Sequence, residues 1–475
     1  MRQALVRPVT PWWIVAIGVL VGAGSCDGGR SASPTVTPGS PQPGLPSDPV
    51  PTIIVDPAQR YQTILGWEGT MEIGSPQNPS LIASYRDELF DRVVGELGLN
   101  RIRLEVRSGA QNPIDWFDRW RQDQIPYQEW RARRYEIQPQ RVYHFSELDF
   151  WVEHSVEPFR QRLLARGERL YVNLTYVNFE KQVPTQVFHH WDHPEAYGAF
   201  MAAAFRHLDE KYGWTPDAVE IVLEPDNIDG WTGRRIGAAI VAAGDSLRAA
   251  GYHPEFIGPS TTDMSHAIRT FDEMVQVPRV LSYLKELSYH RYRGVSNSSL
   301  ETIRQRAAQY GLRTAMLEHI GSGYEDLHED LEVGGNSAWQ MYVIAGTEGS
   351  QTRGQYYHLE IEPAGRVRIV ETEQTKFLKL YFRYVRRGAV RVEASSSQAS
   401  LDPLAFQNTD GSFVVVIKAG ESASFSVGGL PPGGYRARYS TQAENDVDAG
   451  RHAVPEGGVV TTRIPASGVL TIYPD

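Results

Sequence analysis

Cysteine is nearly absent from this chain of 475 residues, because Cys26 is the only one, and a single thiol excludes any internal disulfide. Positive charge is in deficit as well. The net charge of -10 argues against nucleic acid as a partner. The sequence also lacks a phosphate-binding loop, a nucleotide fingerprint and a cluster of metal ligands at a recognised spacing. We therefore expect neither a cofactor nor a metal.

Long apolar runs are scarce too, and the one near the start, Trp12 to Val21, is too short for a comfortable membrane span. Arg2 and Arg7 precede this run, and small residues lie between it and Cys26. The pattern resembles the lipobox of bacterial lipoproteins. It predicts a signal peptide over residues 1–25 and a lipid anchor on Cys26, so the membrane would be a partner. An ordinary secretory signal or an uncleaved anchor would equally take the body out of the cytoplasm, to the periplasmic face, the cell surface or the exterior.

Residues 26–51 are dominated by Pro, Ser, Thr and Gly and predict an extended tether. The remaining chain of over 400 residues exceeds one ordinary core. We expect a large domain over residues 52–379 and a smaller one over residues 380–475.

The large domain shows an alternating helix and strand rhythm, which predicts an α/β fold. Four amphipathic segments each end in glycine, and a short β-rich run follows each of them: Gly98, Gly167, Gly251 and Gly311. Repetition of this kind indicates parallel strands with helical crossovers. Eight strands can be placed, at residues 64–66, 100–106, 169–174, 218–223, 254–258, 281–289, 313–317 and 354–359. Eight strands favour a closed (β/α)8 barrel, whose active site lies at the carboxyl ends of the strands.

Polar side chains are concentrated at these strand ends: Glu68, Arg103, Asn173, Glu224, His290 and Glu318. Glu224 is followed by Pro225, which stops the fourth strand directly after the carboxylate, and Glu318 ends the seventh strand. Hydrolysis of a glycosidic bond requires one protonated carboxyl and one ionised carboxylate. Two glutamates facing each other across the barrel mouth match that requirement. A separation of about 5 Å would make the enzyme retaining, with Glu318 as the nucleophile and Glu224 as the acid/base.

From about residue 380 the pattern changes to short alternating segments separated by Gly-Gly, Pro-Pro and Asp-Gly turns. This pattern is typical of an antiparallel β-sandwich. Residues 51–55, an isolated β-rich run ahead of the barrel, could add a strand to it.

Three segments resemble family 30 of the glycoside hydrolases. Tyr61-Gln-Thr-Ile-Leu-Gly-Trp-Glu-Gly69 is similar to the motif that opens that family's barrel. Phe382-Arg-Tyr-Val-Arg-Arg-Gly-Ala-Val-Arg391 resembles the passage into its side domain, and Asn408-Thr-Asp-Gly-Ser-Phe-Val-Val-Val416 resembles strands of that domain. The resemblance covers residues 51–475 and implies membership of family 30 or a close relative in the retaining (β/α)8 clan A.

The resemblance also implies roles for individual residues. Catalytic glutamates on strands four and seven match Glu224 and Glu318, and the clan's arginine on strand two matches Arg103. The family's His-x-Tyr on strand six matches His290 and Tyr292. Tyr292 would then hydrogen-bond the nucleophile and keep it ionised.

One position departs from the clan's pattern, because Leu223 stands where an asparagine usually precedes the acid/base and binds the sugar 2-hydroxyl. Loss of that contact would forfeit several kcal/mol of transition-state stabilisation, of the order that a strengthened hydrogen bond supplies. Either Asn173 or Asn227 supplies it, or the substrate differs at that carbon.

Aromatic side chains close to the rim could stack on pyranose faces: Trp67, Tyr176, Trp231 and Tyr324. Core packing is the alternative for each. His189, His190, Asp192 and His193 match no zinc spacing and precede a predicted helix over 194–212. They predict a solvated loop.

The sequence thus favours a retaining O-glycoside hydrolase acting on a polysaccharide or oligosaccharide. A non-catalytic glycan-binding lipoprotein on the same barrel is the alternative, and Leu223 keeps it open. A barrel enzyme of other chemistry is a third reading.

Overall fold

The computed structural model describes residues 50–179, 182–183, 185–347, 354–363 and 365–475, and residues 50–475 form one compact unit. The predicted signal peptide, most of the predicted tether and Cys26 lie outside the described residues. The strands are β1 Thr52–Thr63, β2 Gly66–Thr70, β3 Arg101–Arg107, β4 Tyr171–Val177, β5 Ala218–Glu220, β6 Glu255–Asp263, β7 Leu284–Arg293, β8 Arg313–Glu318, β9 Asn336–Gly346, β10 Gln355–Ile361, β11 Val367–Glu371, β12 Val390–Ser396, β13 Leu401–Gln407, β14 Phe413–Ala419, β15 Ala423–Gly428, β16 Gly433–Thr441, β17 Val447–Val454, β18 Val460–Ile464 and β19 Gly468–Pro474.

The α-helices are α1 Pro79–Arg92, α2 Trp116–Arg121, α3 Tyr127–Arg133, α4 Ser146–Trp151, α5 Glu157–Ala165, α6 Pro194–Tyr212, α7 Gly233–Ala249, α8 Met264–Met274, α9 Asn297–Gln309, α10 Tyr324–Glu332 and α11 Thr375–Phe382. None of the described helices is long and apolar enough to cross a membrane.

Eight parallel strands, β2 to β9, form a closed barrel, because β9 pairs with both β8 and β2. The (β/α)8 prediction is confirmed, but the predicted eighth strand was wrong. The strand predicted at residues 354–359 corresponds to β10. This strand lies outside the ring and pairs with the last residues of β9, from Val343 onward. The strand that closes the barrel is β9, which the sequence analysis missed.

Glycine ends the helical segments as predicted, since Gly98, Gly167, Gly251 and Gly311 all have positive φ. Gly98 is needed for a second reason. A Cβ at Gly98 would come within 2.7 Å of the backbone of Arg383, just beyond α11. Gly98 therefore lets the end of α11 pack against the turn that leads into β3.

The carboxyl-terminal strands form a nine-stranded sheet in the order β17-β16-β19-β14-β13-β12-β1-β15-β18, and its two end strands come back into contact. β1 lies in this sheet, between β12 and β15, although it precedes the barrel in the chain. A separate apolar core fills the domain, with Ile53 of β1 among its buried members. The predicted antiparallel β-domain is confirmed.

The barrel interior holds a buried polar layer in place of a purely apolar core. Arg101 forms ion pairs with both Glu68 and Glu286, and all three side chains are fully buried. Asn173 donates from Nδ2 to Glu220 at 2.9 Å. Glu68 and Asn173, predicted at the rim, therefore lie inside the barrel, where the ion pair of Glu68 and the hydrogen bond of Asn173 offset the cost of their burial.

Candidate active site

Glu224 lies at the carboxyl-terminal rim of the barrel, the end at which β2 to β9 finish. β5 ends at Glu220, but the chain beyond it stays bonded to both neighbours, because Leu223 donates to Tyr176 and Glu224 donates to Ser260. Glu224 itself has a left-handed backbone, φ 49° and ψ 58°, directly before Pro225. A residue before proline normally stays extended, so this conformation is strained and has to be held by its surroundings.

Glu318 ends β8 on the same rim. Its Oε1 accepts a hydrogen bond from the Tyr292 hydroxyl at 2.8 Å. Its Oε2 lies 2.7 Å from a guanidinium nitrogen of Arg103, which extends from β3. The contact with Tyr292 is the one that the family resemblance implied, and Arg103 is a second partner of the same carboxylate.

The two glutamates face each other closely. One carboxylate oxygen of Glu224, one of Glu318 and a ring nitrogen of His290 all lie within 4.8 Å of one another. The residues are 9% and 6% exposed, so both carboxylates remain within reach of a ligand. At this distance both carboxyl groups can reach the same bound molecule.

His290 and Asn227 hold the Glu224 carboxylate on either side. His290 Nδ1 bonds Oε1 at 3.1 Å, and the Asn227 amide donates to Oε2 at 2.7 Å. Asn227 was expected to bind the sugar 2-hydroxyl. In the structure its amide instead donates to the Glu224 carboxylate and orients it.

The ionisation of the site follows from burial and charge. Burial raises the pKa of Glu318, aided by the charge of Glu224, while Arg103, His290 and the Tyr292 hydrogen bond act in the opposite direction. Burial would lower the pKa of His290, but its hydrogen bond to Glu224 and the charge of Glu318 raise it overall. Burial and the charge of Glu318 raise the pKa of Tyr292, so its hydroxyl stays protonated and donates.

Two residues near Arg103 were missed by the sequence analysis. Glu105 Oε1 accepts from Arg103 at 3.1 Å, and the Arg103 guanidinium lies over the Tyr342 ring, 5.5 Å from its centroid. Tyr342 is on β9, a strand that the sequence pattern did not predict, so no residue of β9 was among the predicted rim residues. Correct assignment of β9 would have found it.

Two of the predicted aromatic contacts are in the core. Trp67 is fully buried, stacks on Phe382 at 4.6 Å between centroids and donates to the Val385 carbonyl. Tyr176 is also fully buried, with its hydroxyl 2.7 Å from His190. Neither ring faces the rim, because the inward or outward orientation of a strand residue depends on register.

Trp231 and Tyr324 differ from these two rings. Trp231 is 5% exposed, and its buried indole N–H has no hydrogen-bond partner among the described residues. Tyr324 is half-buried against Phe377, with 4.5 Å between ring centroids. Trp231 therefore offers an unused donor, whereas Tyr324 mainly packs.

The sequence predicted a solvated loop before α6, and this prediction is wrong for His190. His190 is buried between the Tyr176 hydroxyl and Gln111, and burial lowers its pKa to about 3. Asp192 pairs with Arg235 on the surface. Two other groups have the spacing of possible metal ligands in the described part of the chain: Glu224, His290 and Glu318, and separately His328, Glu332 and Asp402.

An open cleft of about 280 Å³ lies on the same rim, next to the ends of β2, β3 and β9. Its walls include Glu72, Arg107 and the aromatic rings of Tyr127 and Trp130. Burial and the neighbouring Glu105 raise the pKa of Glu72 to about 7. Flat rings beside charged groups suit a carbohydrate, which presents both apolar faces and hydroxyls.

Comparison with known proteins identifies the carboxyl-terminal domain. Residues 388–472 match the family model described as the glycosyl hydrolase family 30 beta sandwich domain. No curated protein sequence matches the chain.

Solved structures match the fold along most of the chain. The catalytic domain of the GH30 xylanase C from Talaromyces cellulolyticus has a TM-score of 0.66 at 18% identity, covering 89% of this chain and 99% of that one. A conserved exported protein from Bacteroides fragilis has the same TM-score at 14% identity, covering 89% and 100%. A structure described as an endo-β1,6-glucanase has a TM-score of 0.61 at 15% identity, covering 89% and 93%. The resemblance to family 30 or a close relative is confirmed in the fold and in the carboxyl-terminal domain.

Proposed function

We propose that this protein is a retaining O-glycoside hydrolase that cleaves a polysaccharide or oligosaccharide by double displacement. The observation that carries the proposal is the pair of carboxylates, Glu224 and Glu318, within 4.8 Å of each other at the active rim of a (β/α)8 barrel. The glycosidase structures that share the fold support the same reading.

In the first step the Glu318 carboxylate attacks the anomeric carbon, and the bond to the leaving oxygen breaks. Glu224 transfers its proton to that oxygen, which leaves as a hydroxyl group. In the second step Glu224, now ionised, takes a proton from water. The resulting hydroxide displaces Glu318 from the sugar and restores both side chains.

The partners of the two carboxyl groups support these roles. Arg103 carries a permanent charge beside Glu318, and Tyr292 donates to it, so both favour the ionised nucleophile. Glu224 instead contacts the neutral Asn227 amide and the His290 ring, which can move a proton. We therefore propose Glu318 as the nucleophile and Glu224 as the acid/base.

Leu223 bears on substrate identity. Its side chain is buried in a small apolar cluster with Tyr135, Val177 and Val183. Asn173, one of the candidates to replace the clan's asparagine, lies inside the barrel, and Asn227 is engaged with Glu224. Both asparagines are therefore already hydrogen-bonded to glutamates.

The proposal is tested by incubating the purified protein with aryl glycosides and a panel of polysaccharides and following the anomeric signal of the first product by NMR. We expect the product to appear with the configuration of the substrate before it mutarotates. A product of inverted configuration would contradict the retaining assignment. Tight glycan binding without turnover of any substrate would favour the non-catalytic alternative that Leu223 keeps open.

Replacement of Tyr292 by phenylalanine should slow the enzyme and change its pH dependence. Loss of a hydrogen bond to a charged group costs about 1.5–3 kcal/mol, so kcat/KM should fall about 10- to 150-fold. The lost donor had lowered the pKa of Glu318, so that pKa rises. Because the nucleophile has to be ionised, the acidic limb of the pH profile should move to higher pH.

The control for this variant is Tyr310→Phe, since the Tyr310 ring packs on Phe271 at the far end of α9. It should leave both the rate and the pH profile unchanged. An acidic limb that stays in place in Tyr292→Phe would show that Tyr292 does not hold the nucleophile ionised.

We also propose that the protein is anchored to the cell envelope by a lipid on Cys26, with residues 26–51 as the tether. The lipobox-like residues before Cys26 support this placement. A Cys26→Ala variant found in the membrane fraction to the same extent as the wild type would contradict it.

A further inference from the structure

A second cavity lies at the opposite end of the barrel from the catalytic glutamates. It is an open cavity of about 560 Å³ at the starts of β8 and β9, beside the end of β1. We name it the lower cavity, and it is lined among others by Tyr61, Leu65, Arg304, Ala308, Arg313 and Arg391. Its volume falls within the range of small-molecule sites, about 300–1,000 Å³.

Arg391 is the buried cation of the lower cavity. It is 8% exposed, its Nε donates to Gln62 at 3.0 Å, and its guanidinium lies over the Tyr61 ring at 3.9 Å. Gln62 is itself held by a hydrogen bond to the Leu331 carbonyl at 2.6 Å. Arg391 forms no ion pair with any described residue, so its two terminal nitrogens are positioned but not neutralised.

Arg304 adds a second cation from α9. Its aliphatic stem packs over Gly335, where a Cβ would approach within 3.1 Å of Arg304 Cδ. In the part of the chain that the structure describes, Arg304 likewise has no ion-pair partner. Burial and the charge of Arg304 contribute to lowering the pKa of Arg391, as expected for two cations facing a common space.

The neighbouring carboxylates do not cancel these two charges. Glu393 accepts a hydrogen bond from the Tyr61 hydroxyl, and Glu332 is exposed, and neither forms an ion pair with either arginine. Arg313, the third arginine of the lower cavity, is already paired with Glu255. Among the described residues, the exposed Arg304 and the buried Arg391 are therefore the arginines of the lower cavity that form no ion pair, although the charges of Glu332 and Glu393 favour the Arg391 cation from a distance.

We propose that the lower cavity binds an anionic group, a carboxylate or a phosphate, on a small organic ligand. A planar guanidinium with two free terminal nitrogens matches the oxygens of either group, and a buried arginine gains most from such pairing. Leu65 and Ala308 provide an apolar wall beside the two charges, so the ligand carries carbon surface next to its anionic group. This site is separate from the glutamate pair, so the binding proposal does not depend on the proposed hydrolase activity.

The proposal is tested by calorimetric titration of the full protein with glucuronate, glucose 6-phosphate, inorganic phosphate and uncharged glucose. We expect binding of at least one sugar anion, weakened by added salt, and no binding of glucose at the same site. Preference for glucuronate would indicate the acidic end of a glycan, and preference for glucose 6-phosphate would indicate a phosphorylated ligand. Failure of every anion to bind would overturn the proposal.

Two variants test whether the anion binds in the lower cavity. Arg391→Gln should weaken anion binding at least tenfold, because a charge-assisted pair is lost. Ala308→Glu puts a carboxylate one helical turn from Arg304 and should weaken binding to a similar degree without removing any buried side chain. Ala308→Glu therefore tests the site even where Arg391→Gln destabilises the fold.

Arg269→Gln is the matched control, since Arg269 is an exposed arginine on α8, away from the lower cavity. It should bind the anions as the wild type does. Binding that survives in both Arg391→Gln and Ala308→Glu, or that is lost in Glu318→Gln, would place the anion elsewhere and overturn the assignment. Hydrolysis has no part in this readout.

Discussion

Glu318→Gln should abolish turnover, with kcat lower by about 10⁵-fold or more, while the protein still folds and still binds its glycan. The amide keeps the size of the side chain and can still accept from Tyr292, but it cannot form the covalent bond to the sugar. Arg103 remains partnered, because Glu105 also accepts from it. Turnover of an aryl glycoside, the melting temperature and glycan affinity by calorimetry are the three measurements.

Glu301→Gln on α9 is the control for this variant, because the same chemical change there affects an exposed side chain. It should match the wild type in all three measurements. An activated fluorosugar should label Glu318 in the wild type and leave Glu318→Gln unlabelled. Turnover retained in Glu318→Gln would show that Glu318 is not the nucleophile.

Glu224→Ala should lower kcat about 10²- to 10⁴-fold for substrates with poor leaving groups, the range attributed to general acid–base catalysis. Substrates with good leaving groups need no proton for the first step, so they should still form the glycosyl-enzyme and then stall. The space left by the carboxyl group admits azide, which needs no base. Added azide should therefore restore turnover and yield a glycosyl azide of retained configuration, identified by mass and NMR.

Azide should have no such effect on the wild type or on Glu318→Gln, because the first keeps its charged carboxylate and the second forms no intermediate. Rescue of Glu318→Gln with retained configuration, together with rescue of Glu224→Ala with inversion, would exchange the roles assigned to the two glutamates.

The barrel and the two glutamates were predictable because their signals are local. A glycine that ends a helix, and a proline that stops a strand after Glu224, each act within a few residues of the chain. All four helix-ending glycines have the positive φ that the pattern required. Order along the chain then placed the two glutamates at the fourth and seventh strands, and in the structure Glu224 follows the fourth barrel strand and Glu318 ends the seventh.

The eighth strand could not be identified in this way. β9 is buried along almost its whole length, so it lacks the alternation that marks a half-exposed strand. β10 is a comparable apolar segment nearby and was chosen instead. Only pairing distinguishes the two strands, because β9 contacts both β8 and β2, whereas β10 does not close the ring.

By itself, the sequence determined the order of helices and strands, the carboxyl-terminal β-domain and the identity of the two acidic residues at the rim. Only the tertiary structure decided that Glu68 and Asn173 point into a buried polar layer, that Trp67 and Tyr176 pack in the core, and that Arg391 forms no ion pair among the described residues. The physical reason is that composition and residue spacing determine local structure, such as a helix, a strand or a turn, through residues that are neighbours in the chain. The surroundings of a side chain depend on strand register and barrel closure, which join residues far apart in the chain.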